Sequence, residues 1–214
     1  MGRPLLHLIT DRRLPAKQFL AAIMAAVDGG VDLVQVRDKM ASPEALVALT
    51  RQVHAAVAGR ALVIVNGAVE IALAACADGV HLPEGHPDLA RARRTLGAAA
   101  YIGVSVHGVA AARRAEQAGV SRVTFGHVYT TVSHPGEPPR GLDALREVVA
   151  AVRIPIVAIG GIDVRRVAEV LAVGAADVAV ISAIIDADEP REAARGLREA
   201  LDAEAERIRE ATAR

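Results

Sequence analysis

The stretch Pro155-Ile156-Val157-Ala158-Ile159-Gly160-Gly161-Ile162 is followed by the Ala- and Val-rich run 164–173. Then comes Gly174-Ala175-Ala176-Asp177-Val178-Ala179-Val180-Ile181-Ser182-Ala183-Ile184. Each end is a short continuous apolar run, the pattern of a strand buried on both faces of a parallel sheet. The segment between them has helical spacing, and Gly174 supplies a left-handed stop before the next strand. The unit therefore reads as strand, helix, strand. Outward from it the same alternation recurs through the chain. Strands are expected at 5–10, 32–36, 61–65, 79–82, 101–106, 122–125, 155–158 and 177–180. Helices are expected at 19–27, 43–58, 68–77, 89–96, 110–118, 142–152, 164–173 and 190–212. Gly29-Gly30-Val31-Asp32, Ala77-Asp78-Gly79 and Gly119-Val120-Ser121 repeat the helix-stop device. A doubly wound sheet would need a Gly-rich turn after an early strand, but the first strand runs into Thr10-Asp11-Arg12-Arg13. The expectation is a single (β/α)8 TIM barrel filling residues 1–214.

Composition narrows the function. The chain is 52% hydrophobic and 23% charged, which excludes a disordered protein. Lys and Arg total 25 and Asp and Glu total 25, so no net field draws it to nucleic acid or an anionic membrane. Aromatics at 2% leave almost nothing for base stacking. No run reaches the roughly 18 apolar residues of a membrane span, and 5–9 is too short for a signal peptide, so a cytoplasmic protein is expected. The lone Cys76 lies in an apolar run and is expected to be a small buried hydrophobe. Ala-rich helices offer a flat face for a homodimer.

In such a barrel, chemistry gathers where the strands end at their carboxyl edge. The residues there are polar: Arg37-Asp38-Lys39 after the second strand, Asn66 after the third, Ser105 and His107 at the fifth, Gly126-His127 after the sixth. Arg37 and Lys39, two apart on extended chain, point to one side and suit an anion. Gly160 and Gly161 allow close backbone approach. Ile181 and Ser182 can open a short helix, and together these four form a phosphate-site pattern. Among seven histidines, His7, His54, His86 and His134 read as packed or solvated, while His81 and His107 lie near the mouth. His127 is the expected proton carrier, because it follows a strand end and opens a loop, 128–141, long enough to act as a lid. No H-x-x-x-H or H-E-x-x-H spacing occurs, so no metal site is expected.

Several segments, in order and spacing, resemble the thiamin phosphate synthase/TenI superfamily. They are Val34-Gln35-Val36-Arg37-Asp38-Lys39, Val65-Asn66-Gly67, Asp78-Gly79-Val80-His81-Leu82-Pro83, Ile102-Gly103-Val104-Ser105-Val106-His107, Phe125-Gly126-His127-Val128-Tyr129-Thr130-Thr131 and Val157-Ala158-Ile159-Gly160-Gly161-Ile162. In that superfamily the synthase joins a pyrimidine pyrophosphate to a thiazole phosphate, with two Asp holding magnesium and a T-x-T-K loop. Here the corresponding positions are Gly67, His86 and Thr131-Val132-Ser133-His134. Asn66-Gly67 and Gly126-His127-Val128-Tyr129 are similar instead to the TenI branch, the thiazole tautomerases. That resemblance implies aromatisation of a carboxythiazole phosphate with His127 as acid/base and no metal or redox cofactor. Arg37, Lys39, Asn66, Ser105, His107, Thr131, Gly160, Gly161, Ile181 and Ser182 would bind the substrate. Retention of Arg37 and Lys39 keeps the synthase as the alternative, and a non-catalytic thiazole-phosphate-binding regulator is a third reading.

Overall fold

The computed structural model describes residues 2–11 and 16–213; Arg12 and Arg13 lie outside them. Eight parallel strands close into a barrel in chain order: β1 Leu6–Ile9, β2 Leu33–Val36, β3 Leu62–Asn66, β4 Gly79–Leu82, β5 Tyr101–Val106, β6 Arg122–Gly126, β7 Ile156–Ile159 and β8 Asp177–Val180. Pairing of Leu6 with Val178 and Leu8 with Val180 joins the first strand to the last. Helices alternate with the strands as the sequence predicts: α1 Ala16–Asp28, α2 Pro43–Val57, α3 Val69–Ala75, α4 Leu89–Leu96, α5 Val109–Gln117 and α6 Gly141–Ala151. After β7 the expected helix divides into a 3-10 turn, Val164–Arg166, and α7 Val167–Val173. The short helix anticipated after β8 is α8 Ser182–Ile185, and α9 Pro190–Thr212 packs outside against α1 and α7. The (β/α)8 TIM barrel is thus the observed fold.

Local chemistry sets the ends of these elements. The Ser42 side chain caps α2 by accepting from Ala45 N–H at 3.2 Å, with Pro43 at the first turn where its missing N–H is harmless. Gly30, Gly119 and Gly174 take positive φ at three helix stops. Before β4 that left-handed position falls to Cys76, at φ 53, and its side chain is exposed. This corrects the buried reading: the apolar run around it is helix α3, and residue 76 is its cap rather than part of its buried face.

Most of the core lies between the strands and the helices, with Leu6, Leu8, Ile102, Phe125 and Leu145 fully covered. The barrel interior is smaller and mixed. Leu33, Ile64 and Tyr101 form one cluster, and Ile9, Val157 and Ala179 another. At the amino-terminal end, Arg122 pairs with Asp177, and the His7 ring meets Tyr101 edge-on at 6.1 Å. Among the described residues no helix is long and apolar enough to cross a membrane.

Candidate active site

At the carboxyl end of the barrel is a cavity of about 330 Å³. Every residue proposed from the sequence lines it. Arg37 and Lys39 enter from the β2 end, Asn66 from β3, Ser105 and His107 from β5, and His127 and Thr131 from the β6–α6 loop. Gly160, Gly161, Ile181 and Ser182 complete the wall at β7 and β8. The backbone on either side of Arg37 is fixed by Thr10. Its hydroxyl accepts from Arg37 N–H at 2.9 Å and donates to Arg37 C=O at 3.2 Å. Neither Arg37 nor Lys39 is paired with a carboxylate among the described residues, so both charges are available to a ligand.

The two glycines do more than admit a ligand. A side chain at Gly160 would meet His127 Cβ at 2.3 Å, and one at Gly161 would meet Thr130 O at 2.4 Å. Both have positive φ, 101° and 65°. The β6–α6 loop therefore rests directly on this turn, bonded by Val128 N–H to Ile159 C=O at 2.8 Å and Tyr129 N–H to Gly160 C=O at 3.0 Å. On the far side Arg140 N–H donates to His127 C=O at 3.0 Å. Arg166 donates to Gly161 C=O and lies over the Tyr129 ring, whose hydroxyl reaches Glu169 at 2.6 Å. The expected lid, 128–141, is thus tied at both ends to the barrel. The span without such bonds is nearer 131–139, which folds on itself through His134 N–H to Thr131 C=O and Glu137 N–H to His134 C=O.

Deeper residues were missed or left aside in the sequence reading. Gln35, His81 and Thr124 are buried yet line the cavity; Gln35 and His81 are each the lone polar residue of an otherwise apolar strand, while Thr124 shares β6 with Arg122. That interruption of an otherwise apolar run is the signal that could have found Gln35 and His81. His81 Nε2 lies 2.8 Å from Ser105 Oγ. Burial, with help from His7 and Arg37, pushes the His81 imidazole down to about 4, so it is neutral near pH 7. His107 Nδ1 donates to Glu84 at the rim. His134, expected to be solvated, is exposed but stacks on His127 with ring centroids 4.7 Å apart. His127, His134 and Glu137 bring their ligand atoms within 4.8 Å of one another, a convergence made by a loop and therefore without the regular spacing of a helical metal motif. No Asp or Glu lines the cavity among the described residues.

Relatives of known name bear on this site. Thiamine-phosphate synthase of Roseiflexus castenholzii is 41% identical over 205 residues, covering 92% of this chain and 87% of that one. Thiamine-phosphate synthase of Methanoregula boonei is 40% identical, covering 96% of both. The solved structure of thiamine phosphate pyrophosphorylase from Pyrococcus furiosus superposes with TM-score 0.83 at 33% identity, over 94% of this chain and 97% of that one. These names correct the tautomerase expectation and its isomerase class. The departures at Gly67, His86 and His127 occur in a chain that is otherwise close to named synthases. The family model described as thiamine monophosphate synthase matches residues 6–184, and the chain belongs to that family.

Proposed function

We propose that the chain forms thiamine phosphate by joining a pyrimidine carried as its diphosphate to a phosphorylated thiazole. The observation that carries this reading is the pairing of two anion-seeking features on one cavity. One is the Arg37 and Lys39 pair beyond β2, and the other is the Gly160, Gly161 and Ser182 turn beyond β7 and β8. A reaction between two phosphorylated partners needs both. The lone pair of the thiazole nitrogen forms the new C–N bond as the C–O bond to diphosphate breaks. The departing charge collects on the diphosphate. Arg37 and Lys39 stabilise that charge from fixed positions. The turn at Gly160 and Gly161, with the first N–H groups of α8, holds the thiazole phosphate. Attack by a ring nitrogen that carries no proton needs no general base, so His127 has no proton to move in this step.

The resemblance to the synthase implies a magnesium ion held by two aspartates. The residues present do not fit it, because magnesium demands oxygen ligands in near-octahedral array and Gly67 and His86 stand where the aspartates would be. No step is assigned to that ion. The test is to supply both substrates with magnesium, with manganese and with a chelator, and to measure thiamine phosphate and released diphosphate. Coupled appearance of both is expected. Lys39→Ala and Arg37→Ala should each lower kcat by about 10²–10³, the loss typical of one charge-stabilising donor. Absence of product under all three conditions refutes the assignment.

A further inference from the structure

His127, His134 and Glu137 form a cluster that the transfer chemistry does not use. We propose that these three side chains bind a borderline divalent transition-metal ion such as Zn²⁺ or Co²⁺ at the rim of the cavity. Two imidazoles and one carboxylate are the ligand set of catalytic-type zinc sites, which leave a further coordination position open. The same set suits cobalt and nickel, and imidazole nitrogen discriminates against magnesium.

The loop is built for chelation. All three ligands lie within eleven residues of sequence, so closing the site costs little chain entropy. Two successive turns, Thr131 to His134 and His134 to Glu137, fold the chain back so that Glu137 lies beside His134, with Nδ1 and Oε1 3.4 Å apart. His127 is the fixed member: it is 5% exposed, its Cβ packs on Gly160, and its Nε2–H reaches only a long bond, 3.4 Å, to Glu137 C=O. The three ligand atoms lie within 4.8 Å of one another, and a tetrahedral ion needs them about 3.4 Å apart. His134 and Glu137 are half-exposed or more, so rotation about their side-chain bonds closes this gap and turns the stacked His134 ring toward the ion. The nearby Arg140 guanidinium is directed to the carbonyls of Gly126 and His107 rather than into the cluster. His127 and His134 also line the cavity, which puts the site at its rim. Ion binding here does not require the transfer reaction, and the two are tested separately.

The experiment uses the full chain, stripped with a chelator and titrated with Co²⁺ near neutral pH while visible absorption is recorded. One equivalent of Co²⁺ should develop a d–d band that Zn²⁺ abolishes and excess Mg²⁺ leaves in place. His127→Asn, His134→Ala and Glu137→Gln should each weaken Co²⁺ binding by more than about tenfold, the least that even supporting groups of a metal site contribute. His54→Ala, on the outer face of the barrel, should bind as the parent does. Circular dichroism checks folding, and His134→Ala and Glu137→Gln, on exposed side chains, keep the test decisive if His127→Asn unfolds. Absence of a band, displacement by Mg²⁺, or undiminished binding in any folded member of the three variants overturns the three-ligand site.

Discussion

At Gly160 the backbone, the loop and the ligand compete for the same few ångströms. An alanine there would hold φ near 101° against its steric preference and put Cβ 2.3 Å from that of His127. Backbone strain of this type costs about 1–3 kcal/mol before any displacement of the loop is counted. For a chain of this size that corresponds to a fall in Tm of about 2–12 °C. Gly160→Ala should therefore both lower Tm and weaken binding of inorganic phosphate, by scanning calorimetry and isothermal titration respectively. Ser182→Ala should do neither to a comparable degree, because its backbone N–H at the start of α8 survives the change. Equal phosphate affinity in Gly160→Ala and the parent would mean that the β7 turn carries the loop alone. The sequence made Gly160 and Gly161 legible as a phosphate turn. It concealed their second duty, since which segment would cross above them depends on the path of a loop whose contacting residues, His127 to Thr130, lie far earlier in the chain.

At the scale of the elements, the residues that precede the strands carry a repeated device. Asp32, before β2, accepts from Leu6 N–H at 2.8 Å, and Asp78, before β4, accepts from Val63 N–H at 2.7 Å. Ser121, before β6, accepts from Ile102 N–H at 3.0 Å, and Asp177, opening β8, accepts from Leu5 N–H at 2.7 Å. The residue at the entry to each even strand thus ties an N–H at or near the start of β1, β3 or β5, with β1 held from both sides by Asp32 and Asp177. The Gly-x-Asp pattern was visible in the sequence as a helix stop. Its acidic member was not legible as a strand tie, because the acceptor belongs to one strand and the donor to another. Similarly, eight alternating runs revealed the barrel, while the inward Gln35, His81 and Thr124 became part of the site only once the register was known. Asp78→Ala leaves Val63 N–H without its acceptor and should cost about 1–3 kcal/mol, read as a lower urea midpoint with unchanged m. An unchanged midpoint would show that water replaces the carboxylate at no cost.

Across the whole molecule, two imidazoles inside the barrel link its stability to pH. Burial, with the nearby Arg122 charge, lowers His7 to about 3, and its Nε2 has no hydrogen-bond partner. His81 is lowered to about 4 by burial first and by His7 and Arg37 after it. In the unfolded chain both return to 6.5, so below that pH the unfolded state takes up protons that the barrel refuses. Their neutral, buried state is therefore compatible with full stability above about pH 6.5, and stability falls as pH drops toward the folded values. Each proton contributes a slope of about 1.4 kcal/mol per pH unit, so the pair supplies up to about 2.7. Asp177 acts with the opposite sign, since burial raises its carboxyl above the ordinary value. Urea unfolding is measured at intervals between neutrality and about pH 5 in the parent and in His7→Leu, so that contributions common to both proteins cancel in the comparison. The free energy should fall steeply through that window in the parent chain and about half as steeply in His7→Leu, which removes one buried imidazole and its unpaired nitrogen. Equal slopes in the two proteins would mean that His7 is protonated in the folded barrel, with Asp177, whose nearest oxygen is 3.9 Å away, as its counter-charge.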